Sequence, residues 1–146
     1  EVFPMMTVLE NLETGFACLP KDQHRIPRFI FELFPVLQDM RGRRGGDLSG
    51  GQQQQLAIAR ALITKPKVLL LDEPTEGIQP NIIQQIGDAL ETLRDQGEMA
   101  IVLVEQNADF AYRIADSFVV MEQGRVKRMA AKADYTKDAL MVDLAL

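Results

Sequence analysis

Three short apolar runs in the second half of the sequence constrain the fold of this chain most strongly. Each has the length of a strand: KVLLLD at 67–72, MAIVLV at 99–104 and SFVVM at 117–121. Continuous apolar runs of this length are typical of parallel strands that are covered on both faces. We therefore expect buried strands at the first two runs and a third strand at the last.

Helical patterns separate these runs. Between the first two, apolar residues recur at helical spacing until Gly97: Ile83, Ile86, Leu90 and Leu93. Between the second and third, Asn107 can cap a short helix, and a turn at Gln123–Gly124 leads into a fourth strand, RVKRM. The tail from Asp134 is predicted to be helical. Alternation of strands and helices predicts an α/β sheet with right-handed crossovers.

The first third of the chain has a helical pattern. Thr7 and Glu10 match the capping box, which predicts a helix start there and a helix that extends to Gly15. A second stretch repeats apolar residues at helical spacing, and Pro35 is expected to bend or end it: Ile26, Phe29, Ile30, Leu33, Phe34 and Leu37. The segment 41–46 is predicted to be a basic, glycine-rich connector, with a solvated loop at Arg41–Arg44.

Composition narrows the class of protein. With 146 residues, 47% of them hydrophobic and 25% charged, the chain has the composition of one soluble globular domain. A net charge of −5 disfavours non-specific nucleic-acid binding. The single cysteine, Cys18, excludes an internal disulfide, and the single histidine, His24, disfavours a histidine metal site.

No apolar run approaches the ~20 residues of a membrane-spanning helix, and the start lacks the features of a signal peptide.

Two acidic residues follow the first apolar run. Asp72 and Glu73 stand at the predicted carboxyl end of a strand, where α/β folds bind their ligands. Both cannot enter the core, because an unpaired buried carboxylate costs several kcal/mol. One carboxylate could hold Mg²⁺ while its neighbour polarises a water for attack on a phosphate. The alternative is an ordinary strand end followed by a polar turn.

The segment LSGGQ predicts a helix start. Ser49 and Gln52 again match the capping box, and the helix should extend to about Thr64, before Lys65–Pro66. A hydroxyl, approachable backbone N–H groups and the positive end of a helix dipole together suit an anionic phosphate. The alternative is a well-capped helix with no ligand. The glutamines at 53–55 are predicted to form a polar helix face.

Taken together, LSGGQQQQLAIARAL and KPKVLLLDEPTEG closely resemble the ATP-binding subunits of ABC (ATP-binding cassette) transporters. LSGGQ is similar to their signature motif, VLLLDE to their Walker B motif, and the first third to their helical subdomain. The resemblance implies a truncated ABC ATPase fold of the P-loop NTPase type. Residues 1–65 would form a helical subdomain that ends in the signature helix, and residues 66–146 a parallel-strand α/β part.

The resemblance also implies a role for each residue of the two motifs. In the family, two cassettes pair head to tail, and each signature loop closes over ATP held by the other. Asp72 is thereby expected to support Mg²⁺ and Glu73 to act as the general base of the chain's own site. Four residues are expected to contact the γ-phosphate of the partner's ATP: Ser49, Gly50, Gly51 and Gln52.

The sequence departs from the family at four points. It contains no G-x-x-x-x-G-K-[ST] segment, the Walker A motif, and lacks the glutamine-containing loop that usually comes just before EVFPMMTVLENL. Because both belong upstream, we interpret the chain as the C-terminal part of a cassette. Gln79 stands where the family usually has an aspartate, and Gln106 where it usually has a histidine. Gln106 can donate a hydrogen bond to a γ-phosphate but cannot carry a proton. Glu73 is therefore expected to bear more of the catalytic role.

The family resemblance implies an ATPase subunit of an importer, at the cytoplasmic face of the cell membrane, with ATP and Mg²⁺ as cofactors. Its expected partners are a second ABC ATPase subunit, as a homo- or heterodimer, and transmembrane permease subunits, but no nucleic acid. EGIQP and LVEQN resemble the branch that serves branched-chain amino acids, with urea or short amides as close relatives. The pair GGQQQQLAIARAL and TEGIQP favours the urea type. The alternatives are a non-transport ABC ATPase of DNA repair or translation and a non-catalytic interaction module.

For the isolated chain, the missing Walker A motif predicts no ATP hydrolysis and only weak nucleotide binding. Strands supplied by the remainder of a cassette would be absent, which leaves apolar surface and an unpaired sheet edge uncovered. We therefore expect the chain alone to dimerise, exchange strands or aggregate.

Overall fold

A computed structural model describes residues 2–144 of the chain. Its α-helices are α1 Val8–Glu13, α2 Arg28–Leu33, α3 Pro35–Asp39, α4 Gly50–Ile63, α5 Pro80–Gln96, α6 Ala108–Ile114 and α7 Lys137–Leu144. Its strands are β1 Val68–Asp72, β2 Ala100–Val104, β3 Ser117–Glu122 and β4 Arg125–Ala131. Short 3₁₀ helices occupy Thr14–Cys18, Lys21–Gln23, Gly45–Asp47 and Lys132–Asp134. The mixed α/β class predicted from the sequence is confirmed.

The chain divides into two compact units, which are described separately. The first comprises the residues up to Leu69 together with Glu76–Ile101, and the second comprises Leu70–Thr75 together with the residues from Val102 onward. Strands β1 and β2 extend across this division and pair with each other. Within the described residues, β3 and β4 form a separate antiparallel sheet. The alternation of elements had predicted one sheet that contains all three apolar runs. That prediction is wrong for the described residues, because the third run pairs with β4 instead.

Capping chemistry sets the starts of two helices in the first unit. The Thr7 hydroxyl oxygen accepts from the backbone N–H of Glu10, and the Glu10 carboxylate accepts from the backbone N–H of Thr7. The same reciprocal pair joins Ser49 and Gln52 at the start of α4. Both predicted capping boxes are confirmed. The α-helical part of the first ends at Glu13, two residues earlier than predicted, because the chain continues as a 3₁₀ helix.

The predicted break at Pro35 is also present. Helix α2 ends at Leu33, Phe34 leaves the helical conformation, and α3 begins with Pro35, which has no N–H to continue the preceding ladder. Buried apolar side chains from five helices form the core of this unit: Val8, Leu12, Ile30, Leu37, Leu56, Ile63, Ile86 and Leu90.

The connector before the signature segment is held by backbone hydrogen bonds at its two glycines, Gly45 and Gly46. The Gly45 N–H donates to Met6 O at 2.8 Å and the Gly46 N–H to Pro4 O at 3.0 Å. A Cβ added at Gly45 would lie 2.9 Å from Phe3 O, so a larger residue would have to displace backbone. The arginine side chains at 41, 43 and 44 are exposed as expected.

One face of β1 and β2 is uncovered. Leu69 and Leu71 are buried, whereas Leu70 is 72% exposed. On β2, Val102 and Val104 are about half exposed. The expectation that both faces of these strands are covered is therefore wrong for this chain, and the expected uncovered apolar surface is present. Among residues 2–144, no helix combines the length and apolar character needed to span a membrane.

A small core joins β3, β4 and the terminal helix in the second unit. Phe118, Val120, Tyr135 and Leu140 are buried together. The Tyr135 hydroxyl donates to Asp143 Oδ2 at 2.6 Å, and Arg128 Nε lies 2.8 Å from the same oxygen. Burial, followed by the bond to Asp143, raises the pKa of Tyr135 to about 12. The same hydrogen bond lowers the pKa of Asp143.

Candidate functional site

The end of β1 presents two carboxylates in the second unit. Asp72 is the last residue of the strand and is exposed, and Glu73 follows it half-buried. Glu73 has φ +43°, in the left-handed region that non-glycine residues seldom occupy. Its backbone N–H donates to Val104 O at 2.9 Å. The end of β2 therefore fixes the backbone of Glu73 and turns the chain away from the strand direction.

Glu73 and Gln106 contact each other directly. Gln106 Nε2 donates to Glu73 Oε1 at 2.5 Å. The two residues predicted as catalytic come from the loops that follow β1 and β2, and the hydrogen bond brings them together. Because this bond occupies Oε1, the second carboxylate oxygen of Glu73 is the one left to accept a proton from a water or a ligand.

Glu105 is a part of this site that the sequence analysis missed. Its Oε1 accepts from the backbone N–H of Thr75 at 3.1 Å and from Thr75 Oγ1 at 2.6 Å, and its Oε2 accepts from the Asn107 N–H at 3.1 Å. Glu105 thus ties together the two loops that carry Glu73 and Gln106. The available signal was its position, an acidic residue directly after an apolar strand and next to Gln106.

The donor set at β1 fits a magnesium ion that arrives with a ligand. Asp72 and Glu73 supply hard carboxylate oxygens, and Mg²⁺ in proteins commonly takes one or two carboxylates together with waters and phosphate oxygens. In residues 2–144, no group of three or more histidine, cysteine, aspartate or glutamate side chains could hold a metal by itself. The residues therefore suit an Mg²⁺–phosphate complex rather than a metal held by protein side chains alone.

The start of α4, in the first unit, presents hydrogen-bond donors. Ser49 Oγ accepts from the Gln52 N–H at 3.4 Å, and Gln52 Oε1 accepts from the Ser49 N–H at 3.0 Å. This pairing leaves the Ser49 hydroxyl proton and the Gln52 amide N–H groups as potential donors. Gly50 is exposed, and a Cβ added there would meet nothing within 4 Å. The first-turn N–H groups and the helix dipole favour an anion at this position.

The glutamines that follow do not form a polar face, which corrects the sequence prediction. Gln53 Nε2 donates to Gly45 O at 3.1 Å and to Leu48 O at 3.2 Å. Gln55 is only 1% exposed. Gln79, the residue at the position of the usual aspartate, is exposed and precedes the first residue of α5.

Comparison with known proteins assigns the family. The sequence pattern of the ABC transporter family matches residues 1–76, more than half of the chain. The chain therefore belongs to the ABC transporter family, as an ATP-binding domain.

Two curated relatives are particularly similar. The high-affinity branched-chain amino acid transport ATP-binding protein BraG of Pseudomonas aeruginosa is 48% identical over 126 residues, which cover 86% of this chain and 54% of BraG. The probable branched-chain amino acid transport ATP-binding protein LivF of Archaeoglobus fulgidus is 40% identical over 127 residues, 86% of this chain and 53% of LivF. The chain thus spans about half the length of these relatives.

Solved structures share the fold. The ADP conformation of MJ1267, an ATP-binding cassette of an ABC transporter, has a TM-score of 0.77 at 26% identity and covers 97% of this chain and 63% of that chain. A dimeric post-hydrolysis state of the cassette MJ0796, bound to ADP and Pi, has a TM-score of 0.76 at 25% identity and covers 90% of this chain and 59% of that one. The ABC ATPase fold expected from the sequence is confirmed.

Proposed function

We propose that this chain is the C-terminal part of an ATP-hydrolysing subunit of an ABC importer. The observation that carries the proposal is the hydrogen bond from Gln106 to Glu73 at the ends of two paired strands. A carboxylate held at a strand end, beside an exposed aspartate, is the arrangement that water-dependent phosphoryl transfer requires. The division into a helical subdomain at 1–65 and an α/β part at 66–146 belongs to the same proposal.

In the proposed reaction, Glu73 acts as the general base. Its free carboxylate oxygen accepts a proton from the attacking water, while the Gln106 amide holds the other oxygen and orients the carboxylate. Asp72 would hold Mg²⁺, which neutralises phosphate charge when it is bound with ATP. Because Gln106 cannot take up a proton, Glu73 is the proton acceptor of this pair.

The signature segment serves the ATP of a second cassette in this proposal. Ser49, Gly50, Gly51 and Gln52 offer hydroxyl, amide and backbone donors at a helix start, which suit a γ-phosphate. The partner would be a second ABC ATPase subunit, identical or different. Transmembrane permease subunits would bind the pair at the cytoplasmic face of the membrane. The dimeric state described for the cassette MJ0796 supports this assembly.

We propose branched-chain amino acids as the cargo, because the names of BraG and LivF state branched-chain amino acid transport. Urea or short amides are the second candidate, favoured by the segments GGQQQQLAIARAL and TEGIQP. Uptake of radiolabelled leucine and of radiolabelled urea by cells with and without the gene separates the two. If cells without the gene take up both leucine and urea at the parental rate, both cargo assignments are contradicted.

The central experiment replaces Glu73 with glutamine in the complete subunit. We expect ATP hydrolysis to fall to background while ATP-dependent dimerisation persists, because the variant keeps the shape of the site and loses only the proton acceptor. Glu76→Gln, an exposed neighbour, is the matched control and should hydrolyse ATP at the parental rate. Parental turnover in Glu73→Gln would overturn the assignment of Glu73 as the base.

A further inference from the structure

Two close side-chain contacts join helix α4 to α5 in the first unit. A Cβ placed on Gly51 would lie 2.8 Å from Ile82 Cγ2, so the two helices approach as closely as a glycine allows. Gln55 Nε2 donates to Gln85 Oε1 at 2.8 Å. These contacts involve no residue with an assigned role except Gly51, and the sequence had placed Gln55 on a polar face.

The order of the contacts fixes the relative direction of the helices. From the first contact to the second, the chain advances four residues along α4 and three along α5, about 6 Å and about 4.5 Å of helix rise. The step from the first contact to the second goes toward the C-terminal end in both helices. The helices are therefore locally parallel, and their N-terminal ends lie at the same end of the pair. The start of α4 presents Ser49 and Gly50, and the start of α5 follows Gln79.

Gln55 is an unusual residue for a purely structural contact. It is 1% exposed, and its Oε1 is buried with no hydrogen-bond partner within residues 2–144. A buried acceptor without a partner costs about 1–3 kcal/mol, so an apolar side chain at this position would make a more stable helix pair. What the amide provides instead is a fixed register, because its hydrogen bond to Gln85 forms in only one register of the two helices.

We propose that Gln55 is a positioning residue of the nucleotide site. Through Gln85, and together with the close approach of Gly51 to Ile82, it holds the signature segment at the start of α4 in one register against the start of α5. The inference rests on the proposed function, since it concerns how Ser49 and Gly50 are placed for the partner's ATP. Gln53, bonded to Gly45 and Leu48, anchors the opposite side of the same helix start.

The test measures ATP turnover by the complete subunit with Gln55→Leu. We expect kcat to fall about tenfold, as for a small misplacement of a binding group, with an unchanged KM for ATP. The thermal midpoint should stay the same or rise, because the orphan acceptor is removed. Gln54→Leu, the half-buried neighbour, is the control and should keep the parental kcat. A kcat for Gln55→Leu within about twofold of the parent would overturn the proposal.

A second pair of variants separates positioning from stability. Gln85→Glu keeps an acceptor for Gln55 Nε2 and should retain most of the turnover, whereas Gln85→Leu removes the acceptor and should lose it. Gln84→Leu, which removes the neighbouring α5 glutamine that donates to Asp88, is the control for α5. If kcat follows the thermal midpoint across all these variants, the role is structural only and the proposal is wrong. Turnover that survives Glu73→Gln would refute the proposed function instead, independently of these results.

Discussion

Gln106 Nε2 donates to Glu73 Oε1, and this one bond joins the loops that follow β1 and β2. The backbone of Glu73 has a left-handed conformation and donates a hydrogen bond to Val104 O. The residue is therefore held at its backbone as well as at its carboxylate. Such strain is maintained at functional sites where the surrounding structure compensates for it. The amide of Gln106 is therefore the group that most directly sets the orientation of the proposed base.

Gln106→Glu should move the pH dependence of ATP hydrolysis by the complete subunit. The substitution places a second carboxylate beside Glu73, and two adjacent carboxylates resist ionising together. We expect the acidic limb of the kcat profile to move to higher pH by about one unit or more. Gln106→Met removes the donor without adding charge, so it should lower kcat and move the limb less than Gln106→Glu does. An unshifted limb in Gln106→Glu would mean that the two side chains are not neighbours during turnover.

Glu105→Gln should destabilise the second unit. The substitution puts an amide where a carboxylate accepts from Thr75 and Asn107, so at least one donor is left unpaired. Because Glu105 is half-buried, we expect a loss of about 1 kcal/mol in the free energy of unfolding, measured in urea. Combination with Thr75→Val should be less than additive, since both changes remove the same contact. Full additivity would show that this contact contributes nothing.

The sequence predicted those features whose causes are local. Both capping boxes, the break at Pro35 and the end of α5 at Gly97 depend on residues a few positions apart, and all are present. Gly97 has φ +68°, the left-handed cap that glycine provides most readily. The family resemblance assigned catalytic roles to both Glu73 and Gln106, but the hydrogen bond between them was not predicted.

Features that depend on distant packing were not predicted. Gln55 has the composition of a polar face but is buried, because α5 lies against it, and nothing within α4 indicates that neighbour. The exposed side of β1, by contrast, was expected, but from the missing Walker A motif and not from the apolar run, because the run indicates what should be covered and not what covers it. The role of Glu105 depends on where the loop at Thr75 returns in space.

Gly15→Ala should destabilise the first unit through overpacking. A Cβ at Gly15 would lie 2.8 Å from Ile63 Cγ2 and 3.0 Å from Arg60 O, and neither a buried side chain nor a helix carbonyl can move freely. We expect a loss of about 1–3 kcal/mol. Gly42→Ala is the matched control, because nothing lies within 4 Å of its added Cβ. Urea unfolding should place Gly42→Ala at or above the parent; equal midpoints for both variants would contradict the packing described for Gly15.

Leu70→Glu should reduce self-association of the isolated chain. Leu70 is 72% exposed, and Val102 and Val104 in the same unit present about half of their surfaces to solvent. A charge among these residues makes burial against a second copy costly. Light scattering should show larger species for the parent than for Leu70→Glu. Val142→Glu, an equally exposed apolar residue on α7, serves as the control and should associate like the parent. A monodisperse monomeric parent would contradict the expected association.

The pair formed by Tyr135 and Asp143 should make the stability of the second unit depend on pH at both extremes. The pKa of Tyr135 is raised from 10.0 to about 12, so its contribution to stability is complete below pH 10 and is lost as the pH rises through about 12. The pKa of Asp143 is lowered from 3.8, so its contribution is complete above that value and is lost as the pH falls through the lowered pKa.

Tyr135→Phe removes the hydrogen-bond donor. It should therefore reduce the free energy of unfolding most between pH 3.8 and pH 10.0, where the contributions of both groups are complete. A titration followed by tyrosinate absorbance should lose its transition near pH 12 in this variant. Tyr112→Phe, which changes the tyrosine stacked on Phe118, should keep that transition. The pairing would be refuted if the stability difference between parent and Tyr135→Phe were the same at pH 7 as at the alkaline end, because a lost hydrophobic contact alone has no such dependence.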